Sequence, residues 1–292
     1  MIEPKTMTPF KESRAAPMLV KLGGALLDDA DALDHTLRSI AAVHQSKPGS
    51  LVVVHGGGIA VDRQLAALSL TSEKRDGIRI TPPEHMEQIA GVLAGSLNTT
   101  LVARLIAAGA GAIGLSLHDG FLAQCEPRCA PDFDPGRVGS VVGGSPSILH
   151  ALLGARFLPV ICSIGADAAG RLLNVNADDA ATALARIIRP RLLLFLTDVS
   201  GVRSPTGAIA AQLGHADAAA WISSGTINGG MIPKVRGAIE AAERSRTPVV
   251  IASWREADVL QRLERGERVG TRVLAGEPQR PARATSPAAP RA

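Results

Sequence analysis

The chain has 292 residues, 46% of them hydrophobic and 20% charged, an ordinary balance for a globular protein of one large domain or two lobes. Three of its four net positive charges come from the two ends, residues 1–17 and 276–292, so the body is almost neutral. Aromatic residues make up only 2% of the chain, which leaves few rings on which bases could stack. Charge and composition therefore argue against nucleic acid as a partner.

Cysteine usage and hydropathy indicate a cytoplasmic protein. Cys125, Cys129 and Cys162 are an odd number and no apolar signal peptide precedes them, which favours free thiols in a reducing compartment. The sequence contains no run of 18 apolar residues, so we predict no membrane span. Residues 1–17 are predicted to be a disordered leader and residues 277–292 a disordered tail.

Two strand-to-helix units open the body of the chain. Met18-Leu-Val-Lys-Leu-Gly-Gly24 reads as a short apolar strand ending in glycines, followed by a helix to about residue 45. Leu51-Val-Val-Val-His-Gly-Gly-Gly58 repeats the theme and leads into a second helix. Three bare glycines at a helix start predict a cradle for a phosphate or carboxylate, the alternative being a turn that only reverses the chain. Successive units of this kind imply a parallel sheet with right-handed crossovers.

The pattern continues after a region without helical periodicity. Prolines 82 and 83 open a helix that runs to about residue 108, and residues 119–144 are predicted to form hairpins or long loops. The remaining helices are predicted at 147–154, 177–188 and 231–245, and the remaining strands at 156–164, 191–197 and 248–252.

One glycine motif suggests a rival function. Gly109-Ala-Gly-Ala-Ile-Gly114 matches the dinucleotide fingerprint of an oxidoreductase literally. It follows a predicted helix and leads into a strand, however, which is the reverse of the order that fingerprint requires. We interpret it as a helix end and strand entry, and tight NADH binding would favour the rival.

Four residues stand out as candidates for chemistry. Lys21 lies in an apolar strand and needs an anionic partner, unless its side chain extends to solvent. Arg79 could bind a carboxylate through two hydrogen bonds, or lie at a solvent-exposed strand edge. Lys234 lies near a predicted helix start, where a solvent-exposed lysine is common, so by itself it is weak evidence for a catalytic role. Asp178, in Asn174-Val-Asn-Ala-Asp178, could orient two lysines toward a shared anion, as phosphoryl transfer requires.

The order of these motifs resembles that of the N-acetyl-L-glutamate kinases of the amino acid kinase family, over about residues 18–275. The matching segments are Val20-Lys-Leu-Gly-Gly24, Val54-His-Gly-Gly-Gly58, Gly77-Ile-Arg-Ile-Thr81, Asn174-Val-Asn-Ala-Asp178, Leu196-Thr-Asp-Val-Ser-Gly201, Gly229-Gly-Met-Ile-Pro-Lys234 and Ile251-Ala-Ser-Trp254. The resemblance implies an α/β fold, a three-layer αβα sandwich around an open, mainly parallel eight-stranded sheet. Residues 18–190 would form an N-terminal lobe for the amino-acid substrate and dimerisation, and residues 191–276 a C-terminal lobe for ATP.

The same resemblance implies phosphorylation of the γ-carboxylate of N-acetyl-L-glutamate by ATP. Lys21 and Lys234 would stabilise the transferring group, with Asp178 holding both ammonium groups. Substrate binding would fall to Gly57, Gly58, Arg79 and Asn174. Nucleotide binding would fall to Gly24, Asp198, Val199, Ser200, Gly201, Val202, Arg203, Thr226, Ile227 and Asn228. Magnesium would be held mainly by the phosphates, with no metal site built by the protein.

The resemblance also implies a homodimer that pairs through the helix at 84–108. Its apolar face is wide enough for both the core and a partner, although all of it could instead face the chain's own sheet. The members of that face are Ile89, Val92, Leu93, Leu97, Leu101 and Leu105. Asn98 is followed by Thr99, where the family commonly has lysine. Residues 1–17 are short and contain prolines, so we expect insensitivity to arginine.

Two further alternatives remain open on the sequence. The first is a related kinase acting on another acylated amino acid. The second is a non-catalytic regulatory binder, which the presence of Lys21, Lys234 and Asp178 argues against.

Overall fold

A computed structural model describes residues 16–75, 78–256 and 258–275; the predicted tail and all but the last two residues of the leader lie outside them. The strands are β1 Met18–Leu22, β2 Leu51–His55, β3 Lys74–Arg75, β4 Ile78–Arg79, β5 Ala112–Ser116, β6 Gln124–Pro127, β7 Val138–Gly143, β8 Leu158–Cys162, β9 Ile164–Ala166, β10 Leu172–Val175, β11 Leu192–Thr197, β12 Gln212–Leu213, β13 Val249–Ser253 and β14 Thr271–Val273. The α-helices are α1 Gly24–Asp28, α2 Ala30–Ser46, α3 Gly58–Ala67, α4 Met86–Ala90, α5 Asn98–Ala107, α6 Ser147–Gly154, α7 Ala177–Ile188, α8 His215–Ser223, α9 Met231–Ser245 and α10 Val259–Glu264.

Eight strands form the central sheet, in the order β12-β14-β13-β11-β1-β2-β8-β5. All neighbouring pairs in it are parallel except β13 and β14. The predicted open, mainly parallel eight-stranded sheet is confirmed. The strands β1 and β2 lie in its middle, where both faces are covered, and this explains why they read as nearly continuous apolar runs.

Helices cover both faces of the sheet, which confirms the three-layer arrangement. Successive side chains of a strand point to opposite faces. In β1, Leu19 joins the apolar core shared with α7 and α9, whereas Met18 and Val20 join the core shared with α2, α5 and α10. This alternation also directs Lys21 toward the α7 side of the sheet.

A long helical run leads from Pro83 to Ala107, as predicted. It consists of a 3-10 turn at Pro83–His85, then α4, a π-helical segment at Gly91–Leu97, and α5. Five of the six members of its apolar face are buried within the chain and Leu97 is half-buried, so this face packs in the chain's own core. The expectation that the same face also serves a partner is therefore wrong, because its side chains are already covered.

By length and composition alone, the run Pro83–Ala107 could cross a membrane, and 33% of its most apolar 18-residue window is buried. Helices that pack in the core or at the interface of a globular protein meet the same test.

A smaller sheet, in the order β6-β7-β10-β9, contains the predicted hairpin as the antiparallel pair β6 and β7. The strand predicted at 156–164 is divided into β8 and β9, with Ser163 between them. Gly109, at φ +87°, follows the end of α5, and β5 begins three residues later. The glycine motif at 109–114 thus runs from helix to strand, the reverse of the dinucleotide arrangement.

Candidate active site

The carboxyl ends of three parallel central strands lie at one edge of the sheet. Gly23 and Gly24 follow β1, the glycines 56–58 follow β2, and Asp198 follows β11. In open α/β sheets, ligands bind at this edge.

The ammonium group of Lys21 lies 2.8 Å from the carboxylate of Asp178. Lys21 is mostly covered, with 15% of its side chain exposed, so the ion pair satisfies a cation that extends from a buried strand. Asp178 is placed by the start of α7, where the side chain of Asn176 accepts hydrogen bonds from the backbone N–H groups of Asp178 and Asp179. The anionic partner predicted for Lys21 is therefore this carboxylate.

Lys234 has a different partner from the one expected. Its ammonium group lies 2.5 Å from Asp198, so Asp178 does not hold both lysines in this structure. The reason lies in the fold: Lys234 lies in the first turn of α9, which packs on β13, and β13 pairs with β11, the strand that Asp198 follows. The hydrogen bond from Lys234 lowers the pKa of Asp198, which keeps this carboxylate ionised.

A first cleft of about 200 Å³ opens beside the glycine loop. Four cationic side chains line it, those of Lys21, Lys74, Arg79 and Arg128, against the single carboxylate of Asp178 among the lining residues described. Asp62 pairs with Lys74 and Arg79, and Asp179 pairs with Arg128, but neither carboxylate is among the lining residues, so the surface of the cleft favours an anionic ligand. Gly57, Gly58 and Asn174 line it as well, so all the predicted substrate residues meet there.

Arg79 is fixed to the glycine loop. Its Nη2 donates to the carbonyl of Gly58 at 2.8 Å, and its Nη1 contacts the carboxylate of Asp62 and the hydroxyl of Ser72. The hydrogen bond from Arg79 holds the pKa of Asp62 well below its usual range. On the other wall, the side-chain amide of Asn174 donates to the Thr81 hydroxyl at 3.1 Å.

The loop after β2 requires glycine for reasons of space. A Cβ on Gly56 would lie 2.9 Å from the Cβ of Ala177, and one on Gly57 would lie 2.5 Å from a methyl group of Leu97. The first contact brings the loop directly against the start of α7. The glycines of this loop therefore allow close packing next to the ligand cleft, in addition to exposing backbone N–H groups.

A buried histidine is hydrogen-bonded to this loop. His55 shares a hydrogen bond of 2.8 Å between its Nδ1 and the Gly56 carbonyl, and its Nε2 lies 2.9 Å from the side-chain amide of Asn98. Because the carbonyl can only accept and the amide can only donate, the ring is neutral, with its proton on Nδ1. Burial lowers the pKa of His55 to about 4, which agrees with that state.

A second cleft, of about 180 Å³, lies on the other side of Lys21. Its polar side includes Gly24, Asp198 and Lys234, and its apolar side includes Phe195 and Trp254. The two clefts share Lys21, Gly24 and Asp178, so a ligand in one would meet a ligand in the other at these residues.

The other predicted nucleotide residues lie in the loop after Asp198 and in the segment before α9, without lining this cleft. The side chains of Val202 and Ile227 are buried in the core, which leaves only their backbone groups for a ligand. The amide of Asn228 is within 3.1 Å of the Gly225 carbonyl, and the Arg203 guanidinium within 3.1 Å of the Gly207 carbonyl.

Sequence reasoning missed Lys74, Arg128 and Ser163, which also line the first cleft. Arg128 donates to Asp179 at 2.8 Å, and this partly opposes the rise in the pKa of Asp179 that burial causes. These residues lie in short strands, loops and strand ends without periodicity, so no local signal distinguished them from surface residues.

The sequence of the chain matches a known protein family. The profile described as "Amino acid kinase family" matches residues 17–253. The chain belongs to the amino acid kinase family. It is 45% identical to the acetylglutamate kinase of Edwardsiella ictaluri over 259 residues, which are 89% of this chain and 99% of that one. It is 42% identical to the acetylglutamate kinase of Vibrio cholerae serotype O1 over 91% of this chain and 100% of that one.

Solved structures agree on the amino acid kinase fold. The chain superposes on N-acetylglutamate synthase from Neisseria gonorrhoeae with a TM-score of 0.75 and 22% identity, over 90% of this chain and 60% of that one. At that identity the likeness concerns the fold alone.

Proposed function

We propose that this chain transfers the γ-phosphoryl group of ATP to the γ-carboxylate of N-acetyl-L-glutamate. The observation that carries the proposal is the meeting of the two clefts at Lys21, Gly24 and Asp178. An acceptor carboxylate in the first cleft and a triphosphate in the second would come together beside a cation. The similarity to acetylglutamate kinases over nearly their whole length supports the choice of acceptor.

The reaction needs an in-line displacement at the γ-phosphorus. A carboxylate oxygen of the acceptor forms the new P–O bond, the bond to the β–γ bridging oxygen breaks, and ADP leaves with that electron pair. The product is N-acetyl-L-glutamyl 5-phosphate. Lys21 and Lys234 would offset the charge that develops on the phosphoryl oxygens, which is the main task of a protein in this chemistry. Asp178 orients Lys21, and Asp198 orients Lys234.

The acceptor would be held by the cationic wall of the first cleft. Arg79 would bind the α-carboxylate, Asn174 the polar edge of the substrate, and the N–H groups of Gly57 and Gly58 the reacting end. The nucleotide would occupy the second cleft and the loops beside it, which hold the remaining residues of the predicted nucleotide set.

Magnesium would arrive as part of the nucleotide substrate. Among the residues the structure describes, no group of three or more His, Cys, Asp or Glu side chains is arranged to hold a metal ion. Asp178 and Asp198 are each engaged by a lysine, so the phosphates and water are the better ligands for this cation.

The proposal also includes the oligomeric state of the protein and its cellular compartment. We expect a cytoplasmic homodimer that pairs through the outward side of the run Pro83–Ala107, meaning the side whose residues are exposed in the single chain. Gly91 and Ile106 are exposed on that side, the latter by 55%. The exposed positions include Gly91, Thr99 and Ala103, whose small side chains would let the same helix of a symmetric partner approach closely.

A substrate panel tests the proposal. Purified full-length chain with MgATP should release ADP fastest with N-acetyl-L-glutamate, and hydroxylamine should trap the acyl phosphate. Glutamate, N-acetyl-L-aspartate and N-acetyl-α-aminoadipate are the comparisons. Equal rates with all four would contradict the assignment, a preference for another acylated amino acid would indicate the related kinase, and no turnover would indicate a binder.

A further inference from the structure

A basic groove lies at the ends of α7 and α9 that are farthest from the active site. Both helices begin at the site, where Asp178 and Lys234 lie, and both end at the groove. The end of β7 forms another wall, and the volume is about 1000 Å³. The groove is thus a separate feature, several times larger than either cleft of the site.

The charges around this groove are not balanced. Arg186, Arg189, Arg244 and Arg246 line it, and no Asp or Glu does so within the part of the chain that the structure describes. Arg244 donates to Glu240 at 2.7 Å, but the side chains of Arg186, Arg189 and Arg246 make no hydrogen bond or ion pair among the described residues. Clustered cations repel one another, so a ligand that neutralises them gains free energy.

Two of the arginines occupy positions where glycine is the usual residue. Arg189 and Arg246 follow the last turns of α7 and α9 in the left-handed conformation, at φ +46° and +57°. Arginine at a helix C-terminus also interacts favourably with the helix dipole. Arg156 follows α6 in the same way, at φ +68°, but lies outside the groove. The dipole therefore acts on all three arginines, and the groove differs because Arg189 and Arg246 lie there together with two further arginines, Arg186 and Arg244.

We propose that this groove binds an acidic, extended segment of a partner protein. Charge complementarity requires an anion, and about 1000 Å³ is far more than a single phosphate fills. Val142, which is 50% exposed, and Ile187 add an apolar side that suits a peptide. No Phe, Trp or Tyr belongs to the described lining, so bases would find no stacking surface. The chain's own ends, residues 1–15 and 276–292, carry net positive charge and do not complement the groove.

Fluorescence anisotropy with the full-length chain tests the proposal. The probe is a labelled short peptide of glutamates interspersed with leucines, which should bind saturably and more weakly as salt is added. The double variant Arg189→Gly/Arg246→Gly should weaken binding about tenfold or more, equivalent to about 1.4 kcal/mol. Glycine accepts the left-handed conformation, so the fold should be retained. Arg156→Gly, the same change at a third helix end, should leave binding unchanged.

Two single variants and a hydrogen-exchange measurement test whether the peptide binds through the arginines of the groove. Arg186→Gln and Arg244→Gln, inside the helices, should each weaken the peptide without altering the helix ends. Hydrogen exchange should slow at the ends of β7, α7 and α9 when the peptide binds. Equal weakening by Arg156→Gly would overturn the proposal, as would a lack of peptide binding. Equally tight competition by tripolyphosphate or single-stranded DNA would also overturn it, because the groove would then recognise charge alone.

Discussion

The ammonium group of Lys234 lies 2.5 Å from Asp198, whereas that of Lys21 lies 2.8 Å from Asp178. Each of these two lysines therefore has a carboxylate of its own. The two pairs are carried by different elements: Lys21 lies in β1 and Asp178 in α7, whereas Asp198 follows β11 and Lys234 lies in α9.

Lys234→Ala should lower kcat more than it weakens ATP binding, because a cation aimed at the transferring group matters most in the transition state. Loss of one such contact typically costs about a hundredfold or more in rate. Steady-state kinetics together with nucleotide titration would measure the two effects. Asp198→Asn, which keeps the cation, should cost less; an equal loss of kcat and of ATP affinity in Lys234→Ala would contradict its role.

Arg79→Ala should chiefly raise KM for the amino-acid substrate, since the α-carboxylate does not change during the reaction. Hydrogen bonds between charged groups contribute roughly 1.5–3 kcal/mol, which corresponds to about a tenfold to hundredfold increase in KM. Arg75→Ala is the matched control, because Arg75 lies over the Phe133 ring and does not line the cleft. A large fall in kcat with an unchanged KM would show that Arg79 acts on the reacting group instead.

Gly56→Ala should inactivate the protein by displacement of Asp178. The added methyl group would lie 2.9 Å from the Cβ of Ala177, closer than real Cβ contacts, so the start of α7 must move. The double variant Gly56→Ala/Ala177→Gly removes the opposing methyl group and should recover most of the lost kcat. If the second change gives no recovery, the contact with Ala177 is not the reason for glycine at this position.

His55 should make the folded state less stable in mild acid. In the folded chain its pKa is lowered from 6.5 to about 4 by burial, so below pH 6.5 the unfolded chain binds a proton that the folded chain does not. Stability therefore falls as the pH drops from about 6.5 to 4, by up to about 1.4 kcal/mol per pH unit. Denaturant unfolding at several pH values should show this slope, and His55→Gln should flatten it. An unchanged slope in the variant would assign the effect to other groups.

Gly91→Glu should give a monomer if the outward side of the run Pro83–Ala107 forms the dimer interface. Gly91 is exposed and a Cβ there meets nothing within 4 Å, so the isolated chain tolerates the substitution, whereas a partner would bury a charge. Light scattering should report about 60 kDa for the parent chain, twice 30.2 kDa. Ala219→Glu, exposed on α8, is the control and should remain dimeric. A dimer that survives Gly91→Glu would place the interface elsewhere.

Local patterns in the sequence predicted the longer helices and strands and the edge of the sheet where the site lies, but not α8, α10 or β14. The predicted bounds 177–188 and 231–245 coincide with α7 and α9, because both helices have amphipathic faces and clear polar or glycine starts. Apolar strands that end in glycines predicted β1 and β2 and the loops after them. Such signals are local, since period and turn chemistry depend on neighbours along the chain.

The sequence by itself thus determined the α/β architecture and the glycine loop, whereas the expectation that Lys21, Arg79, Asn174 and Asp178 share one site came from the resemblance to the N-acetyl-L-glutamate kinases. The tertiary structure alone decided that Lys234 pairs with Asp198, that Arg128 joins the cleft, and which side of the run Pro83–Ala107 is free. The physical reason is that a periodic pattern states which residues face inward. It does not state which groups, far apart in the chain, come within hydrogen-bonding distance once helices and sheet are packed.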